Sequence, residues 1–197
     1  MRRLAVATLV AISLLPAQAA LARTDSSFAA AVDKEVASLE SQFVALAEAM
    51  PEGKFGFTPE RLDLPDSDFQ GVRTFAAQVR HVAADNFAIW APLTGKPEPP
   101  GIEAPNGPAR MTSRAEILQF LKKSFEFAHQ AAGRLTLQNA LEPVAFRGQM
   151  VTRISLVSLA LTHAMDHYGQ MVVYLRLCGL SPPGSRPRAR PAPPSGR

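Results

Sequence analysis

Cysteine is almost missing from this 197-residue chain. Cys178 is the single one, so no disulfide can form within the molecule. An oxidising compartment is compatible with that but not exploited. Late in an apolar helix and with no histidine beside it in sequence, Cys178 reads as a small hydrophobe and not as a nucleophile. Strand-like alternation and internal repeats are also lacking. The longest apolar run, Leu4 to Leu15, has twelve residues, against the ~20 needed to cross a bilayer. Charged residues are sparse at 19% and hydrophobic ones reach 47%, the composition of one globular domain with a sizeable core. The formal charge of +4 is carried by the ends. Without the two arginines of residues 1–22 and the four of residues 181–197, 15 basic residues face 17 acidic ones, a net of −2. A basic face that tracks phosphates is therefore not expected, and neither is a nucleic-acid partner.

Three segments follow. Residues 1–22 have the pattern of a secretory signal: Arg2-Arg3, the apolar run, Pro16, and the small-residue site Ala20-Leu21-Ala22, with cleavage expected after Ala22. An exported protein, periplasmic or extracellular, with no membrane span after cleavage is the expectation. Residues 23–180 form the folded body. Residues 181–197, rich in Pro and Arg, are expected to be a disordered tail.

Within the body, apolar spacing of three and four predicts helices over about 27–50, 72–89, 113–135 and 152–177. Asp25 or Ser26 is expected to cap the first, which Pro51 and Gly53 end. Pro92 and Gly95 are expected to stop the second. Ser113 and Glu116 make a capping box for the third, and Gly179 suits a left-handed cap after the fourth. The loop 52–70 is expected to cover one end through Phe55 and Phe57. Four amphipathic helices without strands predict an all-α, up-down-up-down four-helix bundle.

Only four histidines are present, and two of them, His163 and His167, stand at i and i+4. That spacing rotates by about 40° and rises one turn, so both rings leave one helix face and can share a cation. The face continues through Leu156, Leu159, Ala160, Gln170, Met171 and Tyr174. Gln170 and Tyr174 are candidate cavity-lining residues. Ala164 follows His163 where a zinc-protease helix needs Glu, so that mechanism is not indicated. His81, in the second helix, is flanked on its own face by Ala77, Gln78, Ala84, Asp85 and Ala88, and the alanines leave room for an ion and a small ligand. Three histidines with an open fourth position make a catalytic-type site. Asp85, one turn on, is a candidate fourth ligand, a partner for an imidazole N–H, or a general base. Glu126 and His129 form one E-x-x-H. A di-iron bundle needs two, so a ferritin-like site is not expected.

The stretch THAMDHYGQMVVYLRLCGLSPP, Thr162 to Pro183, resembles the last helix of the DinB-like superfamily, with its His-x-x-x-His pair, Gly-Gln step, Tyr-x-Arg and Gly before prolines. QVRHVAADNFAIW, Gln78 to Trp90, is similar to the family's second helix, whose histidine is the third ligand. The resemblance covers about Ser27 to Pro183. It implies a bundle, often a homodimer, holding one divalent metal ion (zinc, nickel or iron) through His81, His163 and His167. Some relatives are thiol-dependent transferases or isomerases. The expected function is thus a metal-dependent enzyme of thiol-transferase or hydrolase type acting on a small molecule. The alternative is a non-catalytic exported bundle that binds a metal or small ligand.

Overall fold

The computed structural model describes residues 15–185, with side chains from Ser27 onward. Residues 1–14 of the expected signal lie outside them. Four long helices dominate: α1 (Leu15–Ala49), α2 (Phe75–Thr94), α3 (Arg114–Ala132) and α4 (Arg153–Leu177). None of the described helices is long and apolar enough to cross a membrane. The all-α bundle expected from the sequence is what forms.

The helix directions run up, down, down, up instead of alternating. The start of α3 lies at the end of α1, where the Arg114 guanidinium donates to the carbonyls of Glu48 (2.8 Å) and Met50 (3.1 Å). The start of α2 lies at the same end, because Phe75 and Ala76 donate backbone N–H to the carbonyls of Phe57 and Phe55. So does the end of α4, whose Cys178 carbonyl accepts from Lys54 Nζ at 2.8 Å. The loop 95–113 makes this possible. Nineteen residues reach roughly 60 Å when extended, ample to return along a 20-residue helix of about 30 Å.

Local chemistry sets most helix ends. Thr74, Ser113 and Thr152 each accept an N–H from three residues on, at 3.2 to 3.3 Å. In the Ser113 box the Glu116 carboxylate takes the Ser113 hydroxyl and not its amide. Two expectations fail. The α1 backbone is helical from Leu15, so Asp25 and Ser26 are interior positions, and Pro16 sits in the first turn, where a missing N–H costs nothing. Pro92 lies inside α2. It is in the last turn, and Gly95 at φ 66°, three residues later, caps the helix.

A short antiparallel hairpin, β1 (Pro143–Phe146) and β2 (Gln149–Thr152), corrects the expectation of no strands. Its two-residue loop, Arg147-Gly148, has φ of 45° and 79°. Positive φ at both positions makes the turn whose twist suits paired strands. The start of the expected disordered tail is ordered as well. Pro183–Ser185 form a 3-10 turn against α1, and Arg176 donates to Ser185 Oγ at 2.9 Å. Residues 186–197 lie outside the described residues.

The core joins the predicted stripes. Val32, Val36, Leu39, Phe43 and Leu46 of α1 and Ile117, Leu121, Phe125, Ala128 and Ala132 of α3 are all buried. Loop 52–70 covers one end as expected: Phe55 meets Phe75 edge-on at 5.4 Å and Phe57 meets Tyr174 at 5.8 Å. Helix α2 packs against α3 and α4 and is buried nearly all round, polar residues included. That burial, which no amphipathic pattern would give, puts a polar site at the centre of the bundle.

On the opposite seam, His129 of α3 sits between Asp33 and Glu40 of α1. Burial lowers its pKa, but the hydrogen bonds and charges of the two carboxylates outweigh that and leave it raised. A raised folded pKa means stability that is full below the unfolded value of about 6.5 and is lost as pH rises through the folded one. Both carboxylates are partly exposed, so solvent screening keeps the effect to about 1 kcal/mol. We expect His129→Gln to be less stable than the parent near pH 5.5 and to approach it near pH 9. Urea unfolding at the two pH values measures this, and an equal gap at both would contradict it.

Candidate metal centre

His81 projects from α2 and His163 and His167 from α4, one turn apart. The two helices run antiparallel, so the imidazoles converge. Ring centroids lie 4.6, 4.7 and 4.9 Å apart, each pair close to edge-on. Nitrogen atoms from all three lie within 4.8 Å of one another. Among the described residues, this is the group of histidine, cysteine and acidic side chains that meets that condition.

The outer nitrogens decide what the inner ones can do. His81 Nδ1 faces the carbonyl of Pro105, which can only accept, so Nδ1 carries the proton and Nε2 is a lone pair. His167 Nδ1 faces Gln78 Oε1, with the same consequence. His163 Nε2 lies 3.1 Å from His81 Nε2 and 3.3 Å from Asp85 Oδ2, while its Nδ1 is buried without a protein partner. At most one N–H therefore points into a space that faces at least two imidazole lone pairs. A cation completes such a set, and the donors fit one.

Burial favours the neutral form of each ring. It pulls His167 down to about 4 and lowers His163 and His81 too, although Asp85 and the Pro105 hydrogen bond partly oppose it in the last two. Neutral imidazole is the metal-binding form.

The loop over the site is pinned beside it. Arg80, next to His81 in sequence, donates to the carbonyls of Pro108, Ala109 and Met111 at 3.0 to 3.1 Å. Gly107, at φ 74°, lies so close that a Cβ there would stand 3.0 Å from the Arg80 carbonyl oxygen. Glycine allows that approach, and it holds Pro105 over His81.

Asp85 is buried beside the histidines, and Arg147 on the hairpin turn donates to its Oδ1 at 2.7 Å. The Arg147 guanidinium also lies over the Phe146 ring, 5.0 Å from its centroid. One carboxylate oxygen is thus held and the other turned toward His163. A cleft of about 800 Å³ opens next to this pair, lined by Ala88, Pro105, Phe146 and Arg147 among others. A second of about 490 Å³ includes Arg73, Gln78, Asn106, Gln170 and Tyr174.

Gln170 and Tyr174 line the second cavity, and His81, His163, His167 and Asp85 come together. Leu159 is on the exposed side of α4. Glu126 and His129 are remote, on the α1–α3 seam. Cys178 is half-buried, and burial pushes its thiol pKa up, the reverse of activation. Sequence reasoning missed Arg147, the Pro105 carbonyl and the contact of Gln78 with His167.

The model for the DinB superfamily matches residues 36–171. The chain belongs to that superfamily. A crystal structure of a DinB-like protein from Bacillus cereus is similar in fold, with a TM-score of 0.58 at 17% identity, over 75% of this chain and 91% of that one. No curated protein matches the sequence.

Proposed function

We propose that this DinB superfamily protein binds one divalent metal ion through His81, His163 and His167 and acts as a metal-dependent enzyme on a small molecule, by thiol transfer or hydrolysis. The observation behind this reading is the convergence of imidazole lone pairs whose outer N–H groups are already engaged by Pro105 and Gln78. The 3.1 Å between His81 Nε2 and His163 Nε2 matches the roughly 2.9–3.4 Å between two nitrogens that each stand ~2.0–2.1 Å from one ion. Bound there, a divalent ion supplies Lewis acidity and makes a water or thiol a better nucleophile near neutral pH.

The chain supplies the rest. Three protein ligands leave room for a substrate group. Asp85, oriented by Arg147, offers Oδ2 as a proton acceptor beside His163, which favours an open reactive site over a closed structural one. The 800 Å³ cleft, lined by Pro105 and Arg147, lies beside the partners of His81 and Asp85 and is the space we assign to a small molecule. Residues 1–22 support export, and with it a substrate outside the cytoplasm.

Metal content of the mature protein, measured by elemental analysis, tests the site. About one ion per chain is expected, and none in a His163→Ala, His167→Ala double variant. No metal in the parent after zinc, nickel and iron are each offered would overturn the reading. Cobalt substitution then tests the open position: a spectrum that changes when azide or a small thiol is added supports chemistry, and an unchanged one supports a closed site.

A further inference from the structure

We propose that Gln78, Gln170, Asp166 and Tyr174 form a directional hydrogen-bond chain that holds His167 with its proton on Nδ1, so that Nε2 is the nitrogen offered to the site. The proposal rests on the metal reading for its purpose, but not for its geometry.

An amide side chain can turn over, so its direction has to be imposed. Two fixed ends impose it here. Asp166 is an acceptor only, and Gln170 Nε2 donates to its Oδ2 at 2.9 Å. That turns Gln170 Oε1 toward Gln78, whose Nε2 donates to it at 2.9 Å. The second end is Tyr174. Its hydroxyl proton goes to the Arg73 carbonyl at 3.0 Å, which leaves its oxygen as an acceptor turned to the Gln78 side chain. The Gln78 amide nitrogen is thus turned to the acceptors Gln170 and Tyr174, and its Oε1 faces His167 Nδ1. A ring nitrogen facing that oxygen carries the proton. Gln78 is 2% exposed, too buried for water to take over either role.

Gln78 precedes His81 by three residues on α2, and Gln170 follows His167 by three on α4. Because the helices are antiparallel, the two glutamines meet just beyond the histidines. Asp166 and Gln170 are an i, i+4 pair on the outer side of α4, which carries the orientation from solvent to the centre. These four are positioning residues, since they act on the site through His167.

Outer partners of a metal-bound histidine are commonly worth 10–100-fold in metal affinity. The test is nitrogen-15 NMR of the imidazoles in metal-free protein, with zinc affinity by chelator competition at pH 7. The parent should show His167 protonated on Nδ1. Gln78→Leu should move that proton wholly or partly to Nε2 and weaken zinc binding about 10–100-fold. Gln78→Glu keeps an acceptor facing His167, so it should keep the Nδ1 proton and bind zinc at least as well as the parent. The Asp166→Asn, Tyr174→Phe double variant keeps both glutamines but frees their direction. It should give mixed His167 tautomers and a smaller loss of affinity. His81, held by Pro105, is the internal control and should not change in any folded variant. If Gln78→Leu does not fold, the other two variants decide. A His167 proton that stays fully on Nδ1 in the double variant and in any folded Gln78→Leu overturns the proposal, as does one already on Nε2 in the parent. A parent with the Nδ1 proton in place and no affinity for zinc upholds the chain and removes the ion.

Discussion

Zinc is expected to raise the stability of the folded protein, and the His163→Ala, His167→Ala variant is expected to lose that response. An ion that binds the folded state stabilises it by about 2.7 kcal/mol when its free concentration is 100 times its dissociation constant. For a body of this size, that corresponds to a rise in Tm of roughly 5–11 °C. Two of the three nitrogen donors disappear in the variant, and His81 alone cannot hold the ion. The loss of affinity should exceed the ~10–100-fold that outer partners are worth. The comparison that matters is the shift between zinc-free and zinc-loaded samples of each protein, because the substitutions also remove two largely buried rings and change the baseline. Buried but lacking a proton for every inner nitrogen, the site is under-satisfied in the metal-free protein. Addition of the ion relieves that, whereas magnesium, which prefers oxygen ligands, should do little. Equal zinc shifts in parent and variant would place the ion elsewhere.

What could be read in advance follows from how local each feature is. His163 and His167 were legible because a helix converts a spacing of four into one face, and the helix itself was marked by its apolar spacing and by Gly179 after it. The apolar stripes of α1 and α3 were legible for the same reason. Asp85 was a candidate because it lies one turn from His81. Its partner Arg147 was hidden, since 62 residues and a hairpin separate the two. The hairpin was hidden in turn: four-residue strands give only two alternations, and Arg-Gly is a weaker turn signal than Asn-Gly. The proton-accepting role of Pro105 belongs to a backbone carbonyl, which no side-chain pattern encodes. Helix direction was misjudged because a long loop permits either return, and only contacts such as Arg114 with the end of α1 decide between them. The glutamine chain needed both helices at once, although each of its halves lay within three residues of a histidine already singled out.

Replacement of Phe43 by alanine is expected to cost about 3–5 kcal/mol, the usual range for a fully buried phenylalanine. Its ring is 0% exposed and lies 6.4 Å, centroid to centroid, from both Phe125 of α3 and Tyr168 of α4. One side chain of α1 thus ties two other helices, so collapse around the void is resisted from three directions, which argues for the upper part of the range. Against a total stability of about 5–15 kcal/mol, the variant should unfold at a much lower urea concentration, with an unchanged slope. Phe43→Leu retains most of the volume and should cost less than half as much. The contact also reaches the metal centre. Tyr168 directly follows His167, and its ring packs outward on Phe43 while His167 points inward to α2. Phe43 therefore helps to set the rotation of α4 about its axis, and with it the aim of His167. In the folded fraction, Phe43→Ala should weaken zinc binding slightly, whereas Phe87→Ala, which empties a cluster with Phe120 and Phe127 on the α3 side of α2, should lower stability with less effect on the ion. A cost below about 1.5 kcal/mol for Phe43→Ala would show that α1 is not the keystone of the core that its buried ring contacts indicate.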